Sequence, residues 1–387
     1  MNNFRRILTS LIFLIIIIFN INSLNVKDFG AKGDGINDDT KSIMSAILKA
    51  DDGLVIFPRG RYRITESIQI DLAKSGRIGI KGFGGTATII MEGNGPAFKI
   101  TGSHKGTSSP QSIINDVWLN ERMPTVSEIE IIGNHPEADG IEISYTLKPI
   151  ISKVLIRDVR YGIHLTDRNR DVLIESSHIY NCSKIGVYLD AVNTHQINIC
   201  NCHISYNKKS GIKVEASEIR NFQITGNDIE YNCEEDSDVS ADVWIDASKE
   251  GSSMRELSIT GNTIQAVPTE GGRNILLIGN NETMNKLGLL SITGNHISNH
   301  TVNIELQNIR GISITGNTFV RGYDRHIIAK NCQNLIISSN VLDHNDDYFP
   351  LELVTKGGII MEKIKNVIIC DNIIQGVEHL GAIELYR

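Results

Sequence analysis

The sequence predicts an all-β chain, a single-stranded right-handed parallel β-helix (solenoid) with an N-terminal capping helix. Three observations carry that reading. A short unit repeats: Phe222-Gln-Ile-Thr-Gly-Asn227, Leu257-Ser-Ile-Thr-Gly-Asn262, Leu290-Ser-Ile-Thr-Gly-Asn295 and Ile312-Ser-Ile-Thr-Gly-Asn317 are near copies, with weaker copies ending at Asn134, Asn201, Asn340 and Asn372. A second strand recurs once per unit, as in Gly162-Ile-His-Leu-Thr166, Gly186-Val-Tyr-Leu-Asp190 and Gly211-Ile-Lys-Val-Glu215. Both alternate apolar and polar residues, the period of a strand with one buried face. Self-similarity at this scale means a solenoid.

The 387 residues carry a formal net charge of -7. That balance gives no basic stripe for nucleic acid. Residues 1–23 read as a signal peptide: Arg5 and Arg6 precede the apolar run Leu11 to Phe19, and Ser23 lies near the expected cleavage point. An uncleaved anchor is the rival reading. The expected location is secreted, periplasmic or cell surface, with no membrane contact after cleavage. Six cysteines in an exported chain invite a disulfide framework, but Cys182 and Cys233 read as the same position two coils apart, ~10 Å from each other, too far to bridge. Cys200 and Cys202 read as neighbours on one side of a strand. Most of the six are expected to be small buried apolar groups.

The remaining chain, 24–387, is one domain, with a cap region at 24–88 and coils at 89–387. A helical pattern places Ile43, Ala46, Ile47 and Ala50 on one face, with Asp38 or Asp39 as N-cap and Gly53 as the stop. Leu54 to Phe57 and Tyr62 to Ile64 are strands around the turn Pro58-Arg-Gly60. Here Asp28-Phe-Gly-Ala-Lys-Gly-Asp-Gly35, Asp38-Asp-Thr40 and Phe57-Pro-Arg-Gly-Arg-Tyr62 resemble the N-terminal cap of the pectate-lyase superfamily, which includes rhamnogalacturonase-like and epimerase-like β-helix proteins. The resemblance implies a helix covering the open end of the solenoid, where apolar surface and strand edges would otherwise be bare.

Aligning the isoleucine before each turn gives Ile131, Ile156, Ile174, Ile199, Ile224, Ile259, Ile292, Ile314, Ile337 and Ile369, with steps of 18 to 35 residues. A leucine-rich repeat has similar length but a different leucine and asparagine frame. Asn227, Asn262, Asn295, Asn317, Asn340 and Asn372 should stack as a structural ladder.

The second strand leaves two outward columns. One reads Glu142, His164, Tyr188, Lys213, Trp244, Leu276, Glu305; the other reads Ser144, Thr166, Asp190, Glu215, Asp246, Ile278, Gln307. By the family resemblance they face a carbohydrate cleft. Asp190, Glu215 and Asp246 occupy one position on three neighbouring coils. Like charges that close raise at least one pKa, which yields an acid and a base for glycoside hydrolysis. Lys213 could neutralise a carboxylate, and Tyr188 and Trp244 offer flat surfaces for sugar rings. In a lyase or epimerase, Lys213, Tyr188 or His164 would remove the proton beside a uronate carboxylate held by Arg168, Arg170 or a metal ion. The cluster Asp167-Arg-Asn-Arg170 should lie beside Asn193 and His195, where guanidiniums could grip carboxylates or sulfates. A further column, Arg160, His178, His203, Asp228, Thr263 and His296, falls on another face and reads as structural. The acids of the loop at 232–238 could hold Ca²⁺, although a solvated charge run is commoner.

Departures from the superfamily limit what it implies. The polygalacturonase motifs and the pectate-lyase calcium pattern are absent, and Val243-Trp-Ile-Asp246 is followed by Ala247 where a pectate-lyase motif has histidine. The expected partner is a polysaccharide, acidic by preference, with cleavage or modification as the leading activity. Non-catalytic glycan binding, or a trimeric tailspike-like adhesin, is the alternative; the chain is expected as a monomer or homotrimer.

Overall fold

The computed structural model describes residues 23–234, 238–283, 286–343, 355–377 and 381–386. The expected signal peptide lies almost entirely outside them. Among the described residues, no helix is long and apolar enough to cross a membrane.

The strands form one continuous parallel sheet in which each strand pairs with its equivalent a coil later. Side chains in register therefore stack at the strand spacing of ~4.8 Å. One interior column runs Val126, Ile151, Ile174, Ile199, Ile224, Ile259, Ile292, Ile314, Ile337 and Ile369. Members from Ile151 to Ile337 are buried. Branching at Cβ suits these residues to a pleated, buried surface, and each buried side chain contributes about 1.5–3 kcal/mol.

This register corrects the coil phase near the start. Ile151, 23 residues before Ile174, is its partner; Ile131 and Ile156 belong to a different column that continues through Ile179, Ile204 and Ile229. The 18-residue step does not exist. Ile129-Glu-Ile-Ile-Gly-Asn134 imitates the turn motif, but Gly133 lies within a strand where a Cβ would meet the Asp158 carbonyl at 2.4 Å. Asn134 reaches Glu92 at 3.3 Å instead of joining the ladder.

At the true turns the chain bends through a left-handed residue. Gly226, Gly261, Gly294 and Gly316 have φ of 64–66°, which glycine adopts without steric cost. The following asparagine is thereby aimed inward. Asn227, Asn262, Asn295, Asn317 and Asn340 each donate a backbone N–H to the side-chain oxygen of the next, at 2.9–3.0 Å, ending on Asn372. Each amide nitrogen also reaches an isoleucine carbonyl, as Asn262 Nδ2 does Ile224 at 2.9 Å. The ladder thus satisfies backbone groups that a buried corner would strand.

A second interior polar line includes a carboxyl. Asp242 Oδ1 accepts from Asn232 N at 3.1 Å and Asn232 Nδ2 at 3.0 Å, and Oδ2 accepts from Asn274 Nδ2 at 3.0 Å. Asn303 Nδ2 extends the line to Asn274 at 2.9 Å. Burial pushes the Asp242 pKa up to about 8.

At the N-terminal end a helix, Thr40–Ala50, buries Ile43, Ala46, Ile47 and Ala50. Asp38 Oδ1 accepts from Thr40 N at 3.0 Å. Asp39 is the N-cap residue but turns away, accepting from Lys32 N and Gly33 N at 2.6 and 2.9 Å. Of the six cysteines, Cys182, Cys202 and Cys332 are buried, Cys200 and Cys233 half-buried, and Cys370 exposed. Two placements differ from expectation. Cys182 aligns with Asn207 and Asn232, not Cys233. Cys200 ends a strand, and the left-handed Asn201 after it turns Cys202 to the interior.

Candidate functional site

The strand stretches Tyr161–Glu175, Ile185–Cys200, Ser210–Glu215 and Ser240–Asp246 lie side by side. Their register stacks Glu142, His164, Tyr188, Lys213, Trp244, Leu276 and Glu305 in one column. Ser144, Thr166, Asp190, Glu215, Asp246, Ile278 and Gln307 form the next. Both columns match the sequence reading. The second residue of the first three stretches is Gly162, Gly186 or Gly211, where a Cβ would lie 2.5–2.8 Å from a neighbouring coil. This close packing fixes the height at which the outward side chains stand.

The side chains interlock across coils. His164 and Tyr188 stack with ring centroids 5.1 Å apart and planes 5° from parallel, and Tyr161, not singled out in the sequence, packs against both. His164 Nε2 lies 3.4 Å from Asp190 Oδ2. The Tyr188 hydroxyl donates to Glu215 Oε2 at 3.0 Å, and Lys213 Nζ contacts the same oxygen at 2.7 Å. Lys213 also lies over the Trp244 ring, 4.2 Å from its centroid. The indole Nε1 of Trp244 is buried with no partner among the described residues.

The electrostatics differ from the expected acid ladder. Burial alone would raise the Glu215 pKa, but its bonds to Lys213 and Tyr188 hold the carboxyl below its usual value. Glu215 is therefore a settled anion rather than a proton donor. Asp246 is tied into its own turn, accepting from Ser248 N at 2.9 Å and Ser248 Oγ at 2.6 Å. Burial, then Asp190 and Glu215, push the Tyr188 phenol far up, so it remains protonated and donates.

After the left-handed corner residues Asp167, Ala191 and Ala216, the same coils present the second cluster. Arg168 pairs in register with Asn193, and Arg170 with His195. The Arg170 column continues through His195 to Arg220 and Arg255. A cavity of about 600 Å³ opens here, lined by Lys105, Thr107, Tyr145, Arg168, His195 and Arg220 among others. Arg168 bonds Asn193, while its Nε and Nη2 are buried and without partners among the described residues. Burial, then Arg170, lowers its pKa from the usual arginine value; a guanidinium so placed still carries its charge at neutral pH. His195 Nδ1 is likewise unpartnered, and burial followed by Arg170 lowers the ring pKa.

Arg170 has a different task. Its Nη1 donates to the Thr107 carbonyl at 2.9 Å, pinning the loop 105–109 over the cavity. His104, at the root of that loop, is buried, and its pKa is lowered to about 4 by burial and by Arg168 and Arg170. Asn169 is a buried structural residue, accepting from Thr146 Oγ1 at 2.7 Å. The loop at 105–109, Tyr161, Arg220 and Arg255 were missing from the sequence reading; the Arg170 to Arg255 column could have been found by extending the register that located His195.

On another face, His178, His203, Asp228, Thr263 and His296 stack as expected. Arg160 is not among them. Leu155 holds that position, and Arg160 instead bonds Asp139 at 2.9 and 2.7 Å. The misplacement follows from the phase error at Ile156. The loop proposed for Ca²⁺ includes residues 235–237, which lie outside the described residues.

Residues 86–264 match the family model of the right-handed beta helix region. Alginate lyase 7 of Azotobacter vinelandii is 32% identical over 182 residues, 43% of this chain and 20% of that protein. Mannuronan C5-epimerase AlgE1 of the same organism is 28% identical over 222 residues, 54% of this chain and 15% of that protein. The matched segments thus span a fifth or less of these relatives' length. The A-module of the A. vinelandii mannuronan C-5 epimerase AlgE4 superposes with a TM-score of 0.60 at 14% identity, covering 94% of this chain and 100% of that one. The Streptococcus pneumoniae surface protein and adhesin PfbA superposes with a TM-score of 0.53 at 15% identity, covering 94% and 100%. These superpositions show the fold.

Proposed function

We propose that this right-handed parallel β-helix protein modifies an acidic polysaccharide by proton abstraction next to a uronate carboxylate, as a lyase or an epimerase. One observation carries the reading: a row of proton-handling groups, His164, Tyr188 and Lys213, lies one left-handed corner away from a pocket whose half-buried Arg168 retains unpartnered N–H donors among the described residues. The matched alginate lyase and mannuronan epimerases, named for chemistry on such polymers, support the substrate class.

The division of labour follows from the contacts. Arg168, with Arg220 and Arg255 beyond it, would pair with substrate carboxylates and so stabilise charge developing at the adjacent carbon. His164, held by stacking on Tyr188 with its Nε2 3.4 Å from Asp190, would take the proton. Protonated Tyr188 would return one: to the glycosidic oxygen as the C–O bond breaks in a lyase, or to the same carbon in an epimerase. The Glu215 anion holds Tyr188 in place, and Lys213, bonded to the same carboxylate oxygen, would supply countercharge for the phenolate left behind. Trp244 and Tyr161 would stack on neighbouring sugar rings. The hydrolase version is less well supported, because it needs a protonated carboxylic acid and Glu215 is held ionised. An apolar N-terminal run, Leu11 to Phe19, supports action outside the cytoplasm.

Non-catalytic glycan binding is the second reading. It is favoured by the enclosure of Lys213 between Glu215 and Trp244, which suits a rigid docking face. Incubation with alginate and other polyuronates separates these outcomes. An unsaturated, ultraviolet-absorbing product marks a lyase, solvent deuterium entering the sugar without cleavage marks an epimerase, and new reducing ends alone mark a hydrolase. Bound but unaltered polymer supports the second reading.

A further inference from the structure

We propose that His203, Asp228 and Glu230 form a binding site for a divalent transition-metal ion of the zinc class, separate from the groove. The three residues come from two adjacent coils, on the strands His203–Ser205 and Asp228–Glu230. Asp228 and Glu230 alternate along one strand, so both point outward, and His203 sits directly opposite Asp228 in the register. The intervening Ile204 and Ile229 are paired and buried, which anchors the backbone beneath all three.

The spacing suits a small ion. His203 Nε2 is 3.1 Å from Glu230 Oε1 and 3.7 Å from Asp228 Oδ2, and one donor atom from each residue lies within 4.8 Å of the others. Zinc bonds to nitrogen and oxygen run ~2.0–2.2 Å, which places neighbouring ligand atoms of a tetrahedron ~3.4 Å apart. The two histidine distances bracket that value, and the two carboxylate oxygens, within 4.8 Å of each other, would close toward it as an ion binds. A neutral imidazole with two carboxylates balances a divalent charge. The imidazole nitrogen favours zinc-class ions over the oxygen-seeking Ca²⁺ and Mg²⁺. Three protein ligands leave one position open to water; His178 stands on the other side of His203, with ring centroids 5.5 Å apart.

The site lies where Glu230 leads through Tyr231 and Asn232 into the long insertion that rejoins the solenoid at Ser240. A metal here would clip two coils together at the root of that loop. None of the three residues has a task in the proposed polysaccharide chemistry, so this inference and that function stand or fall separately.

Calorimetric titration of the tag-free, chelator-stripped chain with ZnCl₂ and with CaCl₂ tests it. The expected result is one Zn²⁺ per chain, not displaced by Ca²⁺, with affinity reduced more than about tenfold in His203→Ala and in the near-isosteric Glu230→Gln. Co²⁺ should give the intense visible bands of a four-coordinate ion in the wild type alone. Asp190→Ala should keep wild-type zinc binding, and circular dichroism verifies that each variant is folded. Absence of Zn²⁺ binding in the wild type would overturn the proposal. So would unchanged binding when His203→Ala and Glu230→Gln are combined.

Discussion

Two columns of this solenoid are built by the same coil-on-coil register and differ in what fills them. At the inner corner, Asn227, Asn262, Asn295, Asn317, Asn340 and Asn372 repeat one residue, and their amides bond one another or the backbone. On the groove face the residue changes at every coil, from His164 to Tyr188 to Lys213 to Trp244, and His164 Nε2 and Trp244 Nε1 have no hydrogen-bond partner among the described residues. A repeat constrained by folding converges on the residue that closes its own hydrogen bonds. A repeat that departs from uniformity at fixed register, at the cost of buried donors, has some other demand on it. That contrast is the main physical ground for placing chemistry in the groove.

It can be broken from the groove side first. His164→Ala and Tyr188→Phe should each reduce turnover of the acidic polymer by about 10²–10⁴-fold, the usual worth of a positioned acid or base, with thermal midpoints near the wild type. Arg168→Ala should lower kcat as well as raise KM, because it removes a carboxylate contact that strengthens as charge develops at the adjacent carbon. Midpoints that collapse together with activity would make the groove row structural, like the corner.

From the corner side the signs reverse. Asn295→Ala strands the Asn262 N–H and the Ile259 carbonyl, both currently bonded at 2.9 Å. Denaturant titration should show a loss of about 2–4 kcal/mol, with activity per folded molecule unchanged.

The interior carboxyl predicts a pH dependence. Burial raises the Asp242 pKa to about 8 from its ordinary value of 3.8, so the folded state binds a proton that the unfolded state has released. Its stabilising contribution is complete below about pH 4 and is lost as pH rises to about 8. Thermal midpoints should fall over that window, and Asp242→Asn should flatten the decline. His104 and His300 act oppositely. Burial lowers their pKa values to about 4 and about 3, so their contribution is present above about pH 6.5 and lost on acidification. The smallest effect should come from Thr263→Ala, an exposed residue outside both columns, within about 0.5 kcal/mol by denaturant titration.

Much of this arrangement was legible in the chain itself, for a simple reason. Parallel stacking in fixed register turns a repeat in one dimension into columns in three, so finding Thr-Gly-Asn located the ladder, and alternation located the groove residues from Glu142 to Glu305. The method failed where one segment imitates another. Ile129-Glu-Ile-Ile-Gly-Asn134 has the spacing of a corner but lies in a strand, and the resulting phase error misplaced Arg160. It also could not find contacts between distant loops: nothing local in residues 105–109 announces that Arg170 holds them over the pocket. Charge balance was hidden too. Counting Asp190, Glu215 and Asp246 suggested a raised carboxyl, whereas Lys213, Tyr188 and Ser248 had already engaged two of the three.

The most direct test follows a polyuronate by proton nuclear magnetic resonance in deuterated water, with the wild type and Tyr188→Phe run side by side. The account predicts exchange or elimination at the carbon bearing the carboxylate with the wild type, and its near absence with the folded variant. A polymer that stays protonated and intact with the wild type, or reacts equally fast with the variant, would contradict it.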